Sequence, residues 1–474
     1  MTSTPIIPLF QRLTQFKRSR STRPLNVWGQ CQRQLPRAVR HDRVAMRYLK
    51  LLSPLAWDQL PPRCPRPHDQ QPAISSAAFA AAYLIKLDRQ LVSMSKLRDY
   101  LVDHPQLQWL LGFDPGQALP TARHLTRLLR RTPNQVFQIL LDSSVQLLQL
   151  ELAQLGISLG QAIAVDTKHI LAWVAENNPK TYLTESQRLN KTRQPRGDLD
   201  CKLGCKRKRN QPPLQEQGQP QTPTTEPRPP TNFSANDEYF WGYASGIVAT
   251  KVPDWGEFVL AELTQTFDHD DLTYFFPLLN QVERRLGHKP PCGAFDAAFD
   301  AFYVYEYFYQ AGGFAAVPFV GRGGFKQRSF DEHGRPLCPA GLAMPLKSTY
   351  WSKAGLVEHE AGRYACPLLC PQPTGSICPI DHQNWANGGC LTTMPTATGA
   401  RIRYQLDRKS EAYKQLYRQR SATERINAQA VALGIERPKL RNFQAIANRN
   451  TLIYVLINLR ALHRIRRQKA GLNP

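Results

Sequence analysis

The sequence predicts an α/β protein: a mixed sheet with flanking helices, preceded by a helical region and interrupted by two insertions. Three observations carry this expectation. Residues 73–155 repeat apolar side chains at helical spacing, short apolar runs alternate with helical stretches between 161 and 330, and helical periodicity returns over 403–465. At 474 residues the chain is long enough for about three domains of roughly 150 residues.

The elements follow in order. Residues 1–70 are basic and Pro-containing and read as a loosely structured arm. Residues 71–160 read as a helical N-terminal domain. Within it Ala77–Leu87 is Ala-rich, Ser95–Val102 opens on a capping Ser, Ala122–Arg131 places Leu125, Leu128 and Leu129 on one face, and Gln135–Leu152 is amphipathic. Ile163 and Val165 then mark a buried strand. Residues 176–236 are rich in Pro, Gln, Thr and basic residues, too poor in apolar side chains for a core, and read as a flexible insertion. Strand patterns resume at Glu238–Thr250 and Phe258–Thr266. A helix runs to about Leu286, Gly293–Asp296 forms a short strand, Asp300 caps a helix over Ala301–Gln310, and Phe314–Val320 is a further strand. Residues 331–400 form a second insertion with Gly, Pro and five cysteines, β-rich or irregular. Leu452, Val455, Leu456 and Leu459 give the last helix its core stripe. Strand–strand–strand–helix–strand–helix–strand resembles the RNase H-like order, so residues 161–330 and 401–466 are expected to make a mixed five-stranded core.

Lys and Arg number 61 against 37 Asp and Glu, a formal net charge of +24. Such an excess attracts polyanions, and nucleic acid is the natural partner. No apolar run reaches the ~18 residues of a membrane span, and the N-terminus lacks the pattern of a secretory signal. A soluble intracellular protein is expected, its ten cysteines being thiols or metal ligands.

Three carboxylates stand out. Asp166 ends the apolar run Ala162-Ile163-Ala164-Val165, Asp296 follows Gly293-Ala294-Phe295, and Glu424 lies in a basic helical segment with Tyr417 and Arg420 at i, i+3, i+7. Two Asp at strand ends and a Glu from a helix across the edge suit two Mg²⁺ or Mn²⁺ ions and metal-dependent phosphodiester chemistry. Each also has an ordinary structural explanation when taken alone: a strand-end Asp, or a salt-bridged helix Glu.

Together these blocks resemble a DDE-type insertion-sequence transposase. Ala164-Val165-Asp166-Thr167-Lys168 is similar to the family's first-Asp block, Gly293–Asp300 to its second, and Tyr239–Tyr243 to its second strand. Tyr417, Arg420 and Glu424 match Tyr-x2-Arg-x3-Glu-x6-Lys, whose last position falls here on Val431; Arg425, Arg437 or Lys439 would have to take the lysine's place. Segments 95–100, 109–113 and 119–125 resemble the helical domain common in such enzymes.

The resemblance implies Asp166, Asp296 and Glu424 as catalytic metal ligands for two Mg²⁺ or Mn²⁺. It implies Mg-dependent cleavage and strand transfer at element ends, a homodimer on double-stranded DNA, and a cytoplasmic, nucleoid-associated prokaryotic protein. Tyr417, Arg420, Arg425, Arg123, Arg127 and Arg130 would contact DNA; for the helix bearing Arg123, Arg127, Arg130 and Arg131 the residues alone leave an exposed basic face as the alternative. The alternatives are an inactive or co-opted DNA-binding relative and a nuclease without strand transfer. Structural Zn²⁺ on Cys338, Cys366, Cys370, Cys378 and Cys390 is a further expectation, against free thiols. Lys206–Arg209 would contact phosphate or lie in a solvated linker, and Trp241 and Trp351 are expected in the core.

Overall fold

The structure, a computed structural model, describes residues 35–61, 74–113, 118–206 apart from 179 and 182, 237–319 and 328–471. It is mixed α/β, with a curled mixed sheet and many helices. Helices α1 (Arg37–Arg40), α2 (Arg43–Leu52), α3 (Ser76–Asp88), α4 (Met94–Asp103), α5 (Pro105–Leu111), α6 (Ala122–Arg131) and α7 (Asn134–Ala153) precede the sheet. The expected arm is corrected here. Residues 35–60 are helical and packed, with Val39, Tyr48 and Trp57 buried, because apolar side chains are spaced among the basic ones. Residues 1–34 lie outside the described residues.

The sheet comprises β1 (Ala162–Leu171), β2 (Lys202–Lys206), β3 (Glu238–Val252), β4 (Gly256–Thr266), β5 (Cys292–Ala294) and β6 (Phe314–Ala316). Strand β3 runs antiparallel to β1 on one side and to β2 and β4 on the other, while β5 and β6 continue from β1 in parallel. Part of the expected flexible insertion is therefore ordered. β2 pairs with β3, and Asp198 and Cys201 are buried beside it. Tyr243 and the backbone of Asn442 both donate to Asp198. Of the basic run, Arg207, Lys208 and Arg209 lie outside the described residues.

Residue parity along the strands decides what covers each face. The face bearing Ile163, Val165, Gly293 and Phe295 receives α9 (Phe275–Leu286) and α10 (Phe302–Gln310), with Phe295 against Phe275 and Phe308. A short α8 (Glu185–Arg188) precedes β2. The opposite face carries Ala162, Ala164 and Asp166 on β1, Ala294 on β5 and Ala316 on β6. Its small side chains admit a close helical layer: α12 (Glu411–Tyr417), a 3-10 turn (Arg418–Arg420), α13 (Ser421–Ala432) and α14 (Phe443–Lys469), with α11 (Thr398–Gln405) leading in. The expected stripe Leu452, Val455, Leu456 and Leu459 is buried in α14. Asn458 of α14 accepts from the Val259 N–H and donates to the Val259 carbonyl, capping the backbone of β4.

The cysteine-bearing insertion contains a separate three-stranded antiparallel sheet, β7 (Leu346–Ser352), β8 (His359–Ala365) and β9 (Leu391–Pro395). Trp241 is buried as expected, but Trp351 is 61% exposed on β7, because among the described residues no layer packs on that face of the small sheet.

Candidate active site

Asp166 and Asp296 meet because of strand register. Ala162 pairs with Cys292 and Ala164 with Ala294 in the parallel β1–β5 ladder, a constant offset. Two residues further on, the same offset aligns Asp166 with Asp296 on the same face, just where β5 has ended. Each Asp is anchored locally. Asp166 Oδ1 accepts from the Thr167 N–H at 2.9 Å, and Asp296 Oδ1 accepts from the Ala298 N–H at 2.9 Å as it caps a short 3-10 turn.

A third carboxylate reaches the strand end from the other face. Asp271 accepts from the Thr167 hydroxyl at 2.8 Å. Its role was not anticipated from the sequence, where it sits in an unremarkable acidic run before a helix. Burial, aided by neighbouring Asp296 and Asp271, pushes the Asp166 carboxyl up to about 6, against the pull of Arg420 and the Thr167 N–H. Asp296 and Asp271 are also raised, chiefly by burial. This crowding of partly desolvated carboxylates is what a bound cation would relieve.

The 3-10 turn and α13 lie across these strand ends. Arg420 stands near enough to lower both Asp166 and Asp296, and Asn427 Nδ2 donates to Asp166 Oδ2 at 3.0 Å. Glu424 lies between them on the same side of the helix, at i+4 from Arg420 and three residues before Asn427. Its Oε1 accepts from Arg420 at 2.6 Å, and its side chain is 57% exposed. The two Asp are thus brought together, and the Glu faces the same strand ends but is held by Arg420. Among the described residues, no group of three or more His, Cys, Asp or Glu side chains is set to hold a metal as the side chains stand.

The other sequence candidates divide. The helical face expected to carry Tyr417, Arg420 and Glu424 is interrupted, since α12 ends at Tyr417 and a 3-10 turn intervenes. Tyr417 stacks on Tyr413 at 5.8 Å and packs over β5 and β6. Arg425 points elsewhere and pairs with Glu257. Val431, at the missing lysine position, is partly exposed. Asp300 is not a helix cap: α10 begins at Phe302 with Ala301 before it, and Asp300 instead takes two bonds from Arg403, at 2.8 and 2.7 Å.

Arg123, Arg127 and Arg130 project from α6, whose Leu125, Leu128 and Leu129 are buried. With Thr126, Arg131 and Asn442 they line an open cavity of about 370 Å³. A groove walled by arginines suits a polyanion, each guanidinium presenting donors to phosphate oxygens.

No protein-family profile matches the chain, and no curated protein matches its sequence. No described helix is long and apolar enough to cross a membrane.

Proposed function

We propose that this chain is a DNA transposase of the DDE type on an RNase H-like core. The antiparallel β1–β3–β4 meander, extended through β1 by parallel β5 and β6, supports the core assignment. The observation that carries the functional reading is the shared register of Asp166 and Asp296 beneath a helix bearing Arg420, Glu424 and Asn427.

The donor set fits Mg²⁺ or Mn²⁺, because Asp166, Asp296 and Glu424 supply hard carboxylate oxygens. These three would hold the ions, with Asp271 adding negative charge beside them. Ions held there would supply activation of an attacking oxygen and charge stabilisation for a leaving one in phosphoryl transfer. Asn427 orients Asp166 through its amide. Arg420 holds Glu424 and offsets the charge of the two Asp, so turning Glu424 inward frees its guanidinium for a DNA phosphate. Arg123, Arg127 and Arg130 grip the duplex backbone, and Tyr417 packs beside the path of the strand. Double-stranded element ends, and a second copy of the chain to pair them, complete the reaction.

The test is incubation of the purified chain with duplex DNA carrying element ends and Mg²⁺. Nicking and joined products are expected, both abolished by chelation, by Asp296→Asn and by Glu424→Gln. Full activity of Asp296→Ala would overturn the assignment. A second reading, binding without cutting, draws on the Arg420–Glu424 bond and on Val431 at the lysine position; metal-independent binding with no nick would establish it. Nicks without joined products would leave a nuclease.

A further inference from the structure

Among its described residues, the insertion between β6 and α11 lacks a layered core. Strand β7 is exposed along nearly its whole length, and Leu346, Trp351 and Leu391 lie at the surface. Sulfur is gathered inside instead. Cys338, Cys366, Cys378 and Cys390, with His382, line one recess, and all four are free thiols.

The backbone brings them there from four separate points. Cys338, Cys366 and Cys378 each precede a Pro and open a tight turn, with Gly341 donating to the Cys338 carbonyl at 2.9 Å, Leu369 to that of Cys366 at 3.2 Å and Asp381 to that of Cys378 at 3.3 Å. Cys390 follows Gly388 and Gly389, both in the left-handed region. A Cβ on Gly389 would come within 2.6 Å of the Cys366 Cβ, so only glycine there lets Cys390 approach Cys366. The Cys390 thiol has Cys366 and Cys338 as neighbours, and burial together with these two pushes it up to about 12. Cys370 does not line the recess.

We propose that Cys338, Cys366, Cys378 and Cys390 form a structural zinc site that staples the insertion. Zn²⁺ favours closed tetrahedral thiolate sets of this composition, at about 2.3 Å per sulfur. A segment with little apolar burial gains its folding free energy from such an ion. Each ligand thiol gives its proton to solvent as its sulfur binds, and no oxidant or reductant is involved. These thiols must turn toward one centre to close the tetrahedron, because among the described residues no group of three or more His, Cys, Asp or Glu stands ready to hold a metal. The site is independent of the proposed DNA chemistry.

The test uses the full chain, purified under reducing conditions without chelator. Elemental analysis is expected to find one zinc ion per chain. Cys378→Ser and Cys390→Ser should lose it, while Cys370→Ser and Cys201→Ser retain it. To keep the test independent of how the ligand variants fold, the wild-type chain is also stripped with a mercurial and titrated with Co²⁺. Intense sulfur-to-cobalt charge transfer with tetrahedral ligand-field bands is expected. Wild-type protein without zinc that also gives no cobalt bands would overturn the site. So would zinc retained in all four variants, or a Cys366–Cys390 disulfide in protein alkylated before lysis.

Discussion

Replacing Asp166 by Asn should stabilise the metal-free protein at neutral pH and do little at acid pH. Burial and the flanking carboxylates raise Asp166 from 3.8 to about 6. A group whose folded value is raised contributes stability that is full below its unfolded value and is lost as pH climbs through the folded one. The whole displacement corresponds to about 3 kcal/mol, of which about 2 kcal/mol is lost between about pH 4.5 and pH 7.5. Asn removes that loss with little cost in hydrogen bonding. Its amide oxygen keeps the Thr167 N–H, and Asn427 Oδ1, which has no partner among the described residues, can accept from the new amide after a flip. The assay is urea unfolding of both proteins in EDTA at the two pH values. The readout is the change in their stability difference with pH, which cancels any pH-independent packing effect. Mg²⁺ at the higher pH should restore the wild type and leave the variant unmoved. A stability difference that does not grow with pH would refute the reasoning.

Three further outcomes are expected. Arg127→Ala should weaken duplex binding evenly across sequences and reduce the log–log salt slope by about 1, read by fluorescence anisotropy across salt. Asp300→Asn should lower stability by about 3 kcal/mol in chemical denaturation while sparing DNA cleavage, because it breaks the Arg403 pair, in which the Asp300 side chain is 2% exposed. Gly293→Ala should cost about 1–3 kcal/mol in the same assay and depress cleavage, since its methyl would press on the Phe308 and Phe295 rings behind the strand that carries Asp296.

Much of the fold was legible because period and parity are local. The last helix, the helix over Ala122–Arg131 and the strands around Asp166 and Asp296 follow from apolar spacing alone. The misses had non-local causes. Residues 35–60 look basic, yet enough apolar residues fall at helical spacing to dock on the core. β2 reads as linker because its order comes from pairing with β3. Asp300 has the position of a cap, but Arg403, more than a hundred residues later, claims it. Asp271 is tied to the site by Thr167, a contact that no spacing rule reveals.

The arrangement around Arg420 shows why Glu424 is the least legible of the three carboxylates proposed to hold metal. Asp166 and Asp296 are fixed by strand register and by their own neighbouring N–H groups, so their placement costs no long-range decision. Glu424 stands on a helix whose entry is a 3-10 turn, and its carboxylate has a cation within one turn. An exposed i, i+4 pair is worth only about 0.3–0.5 kcal/mol. That is small against the attraction of a divalent ion in a cluster whose carboxylates are already raised by burial. On the proposed function, the Arg420–Glu424 bond is a resting contact that metal would displace, with the same motion releasing a guanidinium beside the strand ends where phosphate would lie.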